Sequence, residues 1–438
     1  MQVAIEVIKT GSRRGERVYI PYRDGHLAKV PLLWMSATRE KFRPSTRKKM
    51  LTTIGLIDAW AELVNIDYED RLMWGEPLDR HALKSLNYYL RLQAEDLEKL
   101  LRLKRSRVRT LDLEKLLDAF ETVSNPTIAT RIWTAQEYIR FLLDYGNLAM
   151  ESRTVPEDLI ERRRRLAARP TMEGENPPAG SLYHFLKAPR QGNRRTGTPT
   201  DVDDINRFAD WLLSEFKPKA VWKGSRQLLL RNTLMLLLTL NTGLRKGEIQ
   251  KLKIHDIDYR RKTVKVVRRQ SDPEDPRRDE PAAKTLARTL DVAPSIFEML
   301  EKWLEERDDL MDEVEALGRD DNDFVFVNLV YRQDLRGAPL TQRGVKYIMD
   351  AATKAAGVKI RFHDLRHKSS MNLAELAAKY DLTDFETNRL LETKGGWSQG
   401  SKMTGYYAAG ANTKIAQDEH TKMIEDRGWD FGDKGADK

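Results

Sequence analysis

Apolar positions recur at helical spacing over most of the chain and alternate at strand spacing in a few short places. The pattern therefore predicts a mainly α protein with a small β-sheet, an α+β class with helices dominant. Near the start, Val3-Ala4-Ile5-Glu6-Val7 and Val18-Tyr19-Ile20 flank Gly11-Ser12-Arg13-Arg14-Gly15, which reads as a β-hairpin with a basic tip. From Pro44-Ser45-Thr46 to about Arg169 the periodicity is helical. Leu51, Ile54, Leu56, Ile57 and Trp60 mark one amphipathic stretch; Ile128, Ile132, Ile139, Leu142 and Leu143 mark another, with Asn125-Pro126 as its start signal. Residues 170 to 200 collect Pro177, Pro178, Gly180, Pro189, Gly192, Gly197 and Pro199 with Arg190, Arg194 and Arg195, the composition of a linker. Beyond it, Thr200-Asp201-Val202-Asp203 resembles a helix N-terminal box, and Leu228 to Leu240 is apolar enough for a buried helix ending at Asn241-Thr242-Gly243. Thr263–Val267 and Thr285–Val292 read as strands flanking a polar loop, Gln270 to Pro281. Phe324–Val327 is a further short strand candidate, and the chain from Thr341 onward is mostly helical.

Length agrees with this division, because 438 residues exceed one ordinary core. The expected parts are an arm-like hairpin segment (1–35), a helical domain (36–170), a linker (171–199), a second domain (200–410) and a tail (411–438). No apolar run approaches the roughly 20 residues needed to span a bilayer, and the N-terminus lacks a basic stretch followed by an apolar signal core. A cytoplasmic protein with no membrane partner is expected. Zero cysteines remove disulfides and thiolate metal sites, and the seven histidines are read as scattered, with no HExxH or i, i+4 ligand pair, so metal catalysis is disfavoured. The balance of 76 Lys+Arg against 67 Asp+Glu gives +9 and suits a polyanion partner. Basic runs at Leu101 to Arg109 and at Arg162 to Arg165 are candidate phosphate contacts, although such runs are most often solvated faces.

The chemistry is concentrated in the second half. Arg245, Lys284, His363, Arg366 and Trp397 precede the tyrosine pair Tyr406-Tyr407 in that order. A phosphodiester resists attack because its negative charge repels the nucleophile and builds further in the transition state; two guanidiniums and further donors answer that need. A phenolic oxygen then serves as covalent nucleophile. The segments read Thr242-Gly243-Leu244-Arg245-Lys246-Gly247-Glu248, His363-Asp364-Leu365-Arg366-His367, Gly395-Gly396-Trp397 and Met403-Thr404-Gly405-Tyr406-Tyr407-Ala408. Jointly, and over roughly residues 200 to 410, they resemble the tyrosine recombinase (phage integrase) family; the resemblance is weak before residue 200.

The resemblance implies a role for each residue. Arg245 and Arg366 would hold the nonbridging oxygens of one phosphate, and Glu248 would orient Arg245 through an i+3 ion pair. His363, three positions before Arg366 and on the same helical face, would transfer a proton or stabilise the transition state. His367 is read as a structural histidine. Lys284 matches the family's β-hairpin lysine, the general acid for the departing 5′ oxygen, by its Lys-Thr-x-x-Arg pattern. Trp397 stands where most of the family has histidine; its indole donates a hydrogen bond but shuttles no proton. For the nucleophile, the commonest spacing from Trp397 lands on Tyr406, whereas Met-Thr-x-x-Tyr-Ala selects Tyr407 with one extra residue between Ser398 and Lys402. Tyr407 is taken and Tyr406 remains open.

By the same resemblance, residues 36–170 would be a core-binding (SAM-like) DNA-binding domain and 200–410 the catalytic domain. Together they would make a C-shaped clamp, with four protomers on two DNA recombination sites and the tail docking on a neighbouring protomer. Cleavage would give a 3′-phosphotyrosine and a free 5′-hydroxyl, leading through a Holliday junction without metal, ATP or organic cofactor. Integration or excision of a mobile element, a nucleoid-associated location and accessory DNA-bending or directionality proteins complete the expectation. A type IB topoisomerase, a hairpin telomere resolvase and a catalytically silent DNA-binding regulator are the alternatives.

Overall fold

The computed structural model describes residues 1–8, 10, 14–105, 120–150, 155–170, 175–189, 202–214, 217–269, 271–281, 285–330, 335–405 and 407. The chain divides into two compact units, one of Met1–Ile8 with Arg17–Arg195 and one of Lys9–Glu16 with Thr196–Lys438. No described helix is long and apolar enough to cross a membrane.

In the first unit, β1 (Gln2–Val7) and β2 (Arg17–Arg23) pair antiparallel from Gln2 opposite Tyr22 to Val7 opposite Arg17. A third strand, β3 (His26–Leu27), extends the expected hairpin. The signal for it was Asp24-Gly25, whose φ values of 48° and 80° are those of a tight hairpin turn. The helices described next are α1 (Lys29–Ala37), α2 (Pro44–Val64), α3 (Tyr68–Trp74), α4 (Arg80–Tyr89), α5 (Ala94–Arg105), α6 (Asn125–Met150) and α7 (Glu157–Ala167). The two amphipathic stretches read from the sequence lie on α2 and α6, and Leu51, Ile54, Ile57, Trp60, Ile139, Leu142 and Leu143 are fully buried in one shared core.

Two expectations change here. Residues 175–189, assigned to the linker, form a short helix α8 (Leu182–Phe185) and place Leu182 and Leu186 in that same core. Within the basic run on α7, Arg163 is buried rather than surface-facing: it donates to Asn147 Oδ1 at 2.8 Å, to the Leu143 carbonyl at 3.1 Å and to the Gly75 carbonyl at 3.3 Å. Its neighbours Arg162 and Arg165 pair with Glu76 and Glu161. Most of the other basic run, from Leu103 on, lies outside the described side chains.

The second unit holds α9 (Val202–Leu213), α10 (Lys217–Val221), α11 (Arg226–Thr242) and α12 (Lys246–Gln250), then the strands β4 (Ile257–Asp258), β5 (Thr263–Val266) and β6 (Arg288–Asp291). Three long helices and one shorter close it: α13 (Pro294–Ala316), α14 (Gln342–Ala356), α15 (Phe362–Lys379) and α16 (Asp384–Gly395). The sheet is antiparallel in the order β4-β5-β6, with Thr263 opposite Asp291 and Val266 opposite Arg288. Helix α11 is the apolar one predicted; Ser225 accepts the Leu228 N–H at its start and Gly243, with φ 68°, ends it.

Phe324–Val327 is not a strand. Its residues are buried and form isolated bridges to Lys253 on one side and Pro339 on the other, while the Trp303 indole and Arg307 guanidinium of α13 donate to the Val325 and Phe324 carbonyls. The backbone groups are thus satisfied without a ladder. Nor is the polar loop solvated throughout. Lys253 pairs with Asp272 at 3.1 Å, Lys251 with Glu280, and Arg277 with Asp275 at 2.8 Å, with every one of these residues except Glu280 less than 9% exposed.

Candidate active site

Three local structures converge on the site. The first is the sharp turn after α11: Gly243 leaves the helix in the left-handed conformation, and Arg245 then opens α12, where its N–H donates to Glu248 Oε2 at 2.9 Å. The turn sends the Arg245 guanidinium out of the scaffold with a quarter of its side chain exposed. The second is the N-terminal turn of α15, fixed by the Arg361 N–H donating to Asp364 Oδ2 at 2.7 Å. This turn presents His363, Arg366 and His367 on adjoining positions. The third is the end of α16, where Gly396 at φ 62° releases the chain toward Trp397 and Tyr407.

The carbonyl of Gly395 joins them. Arg366 donates to it from Nη2 at 2.7 Å and to the Gly243 carbonyl from Nη1 at 2.5 Å; Arg245 reaches the Gly395 carbonyl from Nη1 at 3.3 Å. Two guanidiniums are thereby held side by side. Burial first, and then the charge of Arg245, pushes Arg366 down to about 9, which leaves it charged at neutral pH. Burial likewise lowers Arg245, partly offset by Glu248.

Glu248 does more than pair with Arg245. Its main partner is Arg288, which donates from Nη2 to Oε2 at 2.8 Å and from Nη1 to Oε1 at 3.1 Å, while Arg288 Nε donates to the Lys394 carbonyl at 2.8 Å. Thr285 also donates to this carboxylate. The Arg245–Glu248 contact is longer, at 3.4 Å. Arg288 therefore ties the Arg245 turn to the end of α16, and three guanidiniums face one carboxylate. The excess positive charge is what a phosphate requires.

On the other side Arg366 lies 5.1 Å from the centroid of the Trp397 ring, whose opposite neighbour is Tyr407, stacked at 5.5 Å and 19°. Tyr407 is 1% exposed and packs with Ala374 and Leu391. The segment leading to it turns at Gly400, φ 74°, whose N–H donates to Glu392 Oε1 at 2.6 Å, and continues as a helical turn over 402–405. This is where the sequence places its one extra residue.

The structure brings together Arg245, Arg366, Trp397 and Tyr407, with His363 one helical turn from the Tyr407 hydroxyl's partner. Lys284 and Tyr406 lie outside the described residues, as does the tail; Thr285 and Arg288, which follow Lys284, are in the site. His367, read from the sequence as a structural histidine, touches the candidate nucleophile: its Nδ1 is 2.5 Å from Tyr407 Oη, and its ring meets His363 edge to face at 4.4 Å. His363 and His367 are themselves an i, i+4 pair, contrary to the sequence reading. Among the described residues no group of three or more potential ligands is placed to hold a metal ion. His363 keeps an exposed face, yet desolvation of its ring, followed by His367, Arg366 and Arg245, pushes it down to about 4. The sequence reading also missed Arg288 and the Gly395 carbonyl. For Arg288 the signal was the arginine of Lys-Thr-x-x-Arg; for a backbone carbonyl there was none.

Residues 214–412 match the family model described as the phage integrase family. The tyrosine recombinase XerC of Corynebacterium glutamicum is 29% identical over 147 residues, 33% of this chain and 39% of that relative's length. The crystal structure of XerA recombinase aligns at 15% identity over 89% of this chain and 96% of that one, with a TM-score of 0.34. The Tn1549 transposon integrase in complex with transposon right end DNA aligns at 12% identity over 89% and 99%, with a TM-score of 0.43.

Proposed function

We propose, from the match of residues 214–412 to the phage integrase family model, that the chain is a site-specific tyrosine recombinase acting on double-stranded DNA. The observation that supports this most is the grip of Arg245 and Arg366 on one carbonyl, beside a tyrosine stacked on Trp397. Two fixed cations next to a phenol form a site for an anion that is to be attacked.

In this reading Tyr407 Oη attacks a DNA phosphorus while Arg245 and Arg366 neutralise its nonbridging oxygens. The Oη–P bond forms, the P–O5′ bond breaks, and Lys284 supplies the proton that the 5′ oxygen needs. A 5′-hydroxyl of the partner strand then reverses the step. Each step exchanges one phosphodiester for another, so no ATP or metal is called for. Residues 36–170 are proposed as the DNA-binding domain and 200–410 as the catalytic domain, with four protomers on two sites and accessory DNA-bending or directionality proteins as partners. Integration or excision of a mobile element, in the cytoplasm at the nucleoid, is the proposed task.

The test is covalent capture. A pool of nicked suicide duplexes with a randomised core is incubated with wild type, Tyr407→Phe and Tyr406→Phe, and protein–DNA adducts are resolved under denaturing conditions. Adduct with wild type and Tyr406→Phe, and none with Tyr407→Phe, is the expected result. Loss only with Tyr406→Phe moves the nucleophile, and no wild-type adduct defeats the recombinase reading. Transfer of the captured strand to a second duplex separates recombination from topoisomerase-like religation.

A further inference from the structure

The nucleophile in this site has an immediate neighbour to which nothing above gives a chemical task. Tyr407 Oη and His367 Nδ1 are 2.5 Å apart, and the two side chains come from segments 40 residues apart in sequence. We propose that His367 is the proton acceptor for Tyr407, a catalytic residue distinct from His363. The proposal rests on the reading of Tyr407 as nucleophile and deepens it.

Geometry comes first. A phenol attacking phosphorus must shed its proton, and the acceptor has to sit within hydrogen-bond reach of the oxygen, about 2.6–3.2 Å. His367 is at or inside that reach, and His363 meets the His367 ring edge to face at 4.4 Å between centroids. With Nδ1 as acceptor, the neutral imidazole carries its proton on Nε2. Trp397, stacked on the other side of the phenol, has only an N–H and takes no proton.

Electrostatics are consistent with the assignment. The groups facing His367 are His363, Asp364, Arg366 and Arg361 on its own helix and Tyr407 from the packed segment. Desolvation by burial, offset in part by Asp364 and reinforced by Arg366 and Arg361, holds His367 below the ordinary histidine range, so it is neutral and able to accept at neutral pH. A weak base cannot generate free phenolate from a phenol of ordinary pKa near 10. The transfer must instead accompany bond formation: as Oη bonds to phosphorus its proton becomes acidic and passes to Nδ1. Arg245 and Arg366, whose positive charges favour an ionised Tyr407, stabilise the developing charge. The Oη–H bond breaks, Nδ1–H forms, Oη–P forms and P–O5′ breaks, with the 5′ oxygen protonated by the general acid. On religation His367 returns the proton to Oη.

The test uses the full chain and the duplex selected from the randomised pool by wild type, and measures single-turnover adduct formation against pH. His367→Ala opens a space, and His367→Asn keeps an oxygen that accepts the hydrogen bond but does not take a proton. Both variants are expected to bind the selected duplex as wild type does and to form adduct roughly 10²–10⁴-fold more slowly. Added imidazole is expected to restore the rate in His367→Ala, with substituted imidazoles ranked by their basicity, a response that a merely positioning residue would not give. The proposal is overturned if His367→Asn matches wild type in rate and acid limb, or if no imidazole restores His367→Ala. Adduct formation by Tyr407→Phe, or none by wild type, would instead overturn the nucleophile assignment beneath it.

Discussion

Arg288 shows how a side chain bonded to protein partners holds its neighbours in place. It occupies both oxygens of the buried Glu248 carboxylate and the Lys394 carbonyl, and so fixes the turn from which Arg245 emerges. Arg288→Met is expected to destabilise the protein by about 3–5 kcal/mol, because it takes from the buried Glu248 carboxylate its main cation and leaves it the longer Arg245 contact and Thr285. Removing both partners in Arg288→Met with Glu248→Leu is expected to recover most of that loss in urea unfolding, while adduct formation stays impaired. His363 makes a second residue-scale expectation. Its unfolded pKa is the ordinary 6.5 and its folded value about 4, so the unfolded chain takes up the proton first as pH falls. Stability contributed by neutral His363 is therefore present above pH 6.5 and lost toward about pH 4. His363→Gln is expected to flatten that part of the stability–pH curve, and an unchanged slope would count against the burial argument.

At the scale of elements, the site is a meeting of helix ends. Gly396 terminates α16 at φ 62°, and a Cβ there would come 2.8 Å from Arg288 Nη1 and 3.0 Å from Thr285 Cβ. Gly396→Ala is therefore expected to impose about 1–3 kcal/mol of strain and to slow adduct formation by disturbing Arg288, whereas Gly357→Ala, with open space at its Cβ, should leave adduct formation unchanged. Helices α2 and α6 were legible because apolar positions recur along one face of each, and α11 because Leu234 to Leu238 make it apolar on every side and are buried in succession. Phe324–Val327 was misread because a short apolar run has the same composition whether its carbonyls meet a strand or the side chains of Trp303 and Arg307. The polar loop from Gln270 to Pro281 was legible only as polar, because its charges are visible in sequence and their buried partners, Lys251 and Lys253, are not.

For the whole molecule, each compact unit has its own apolar core. A fragment of residues 1–195 is expected to unfold cooperatively by circular dichroism; a non-cooperative melt would show that its core needs the rest of the chain. Within it, Arg163→Ala is expected to be markedly destabilising, since it strands the Leu143 and Gly75 carbonyls and the Asn147 amide.

The sequence alone determined the mainly helical class, the principal helices, and the identities of Arg245, Arg366, Trp397 and the tyrosine pair, because periodicity and the ordered motifs are local properties of the chain. Tertiary structure decided which groups share the site through contacts between distant residues. The Gly395 carbonyl lies 150 residues from Arg245, Arg288 lies 40 from Glu248, and His367 lies 40 from Tyr407. No pattern of spacing encodes such pairings; they exist only once the helix ends have packed and the two guanidiniums, the indole and the phenol have been brought around one carbonyl.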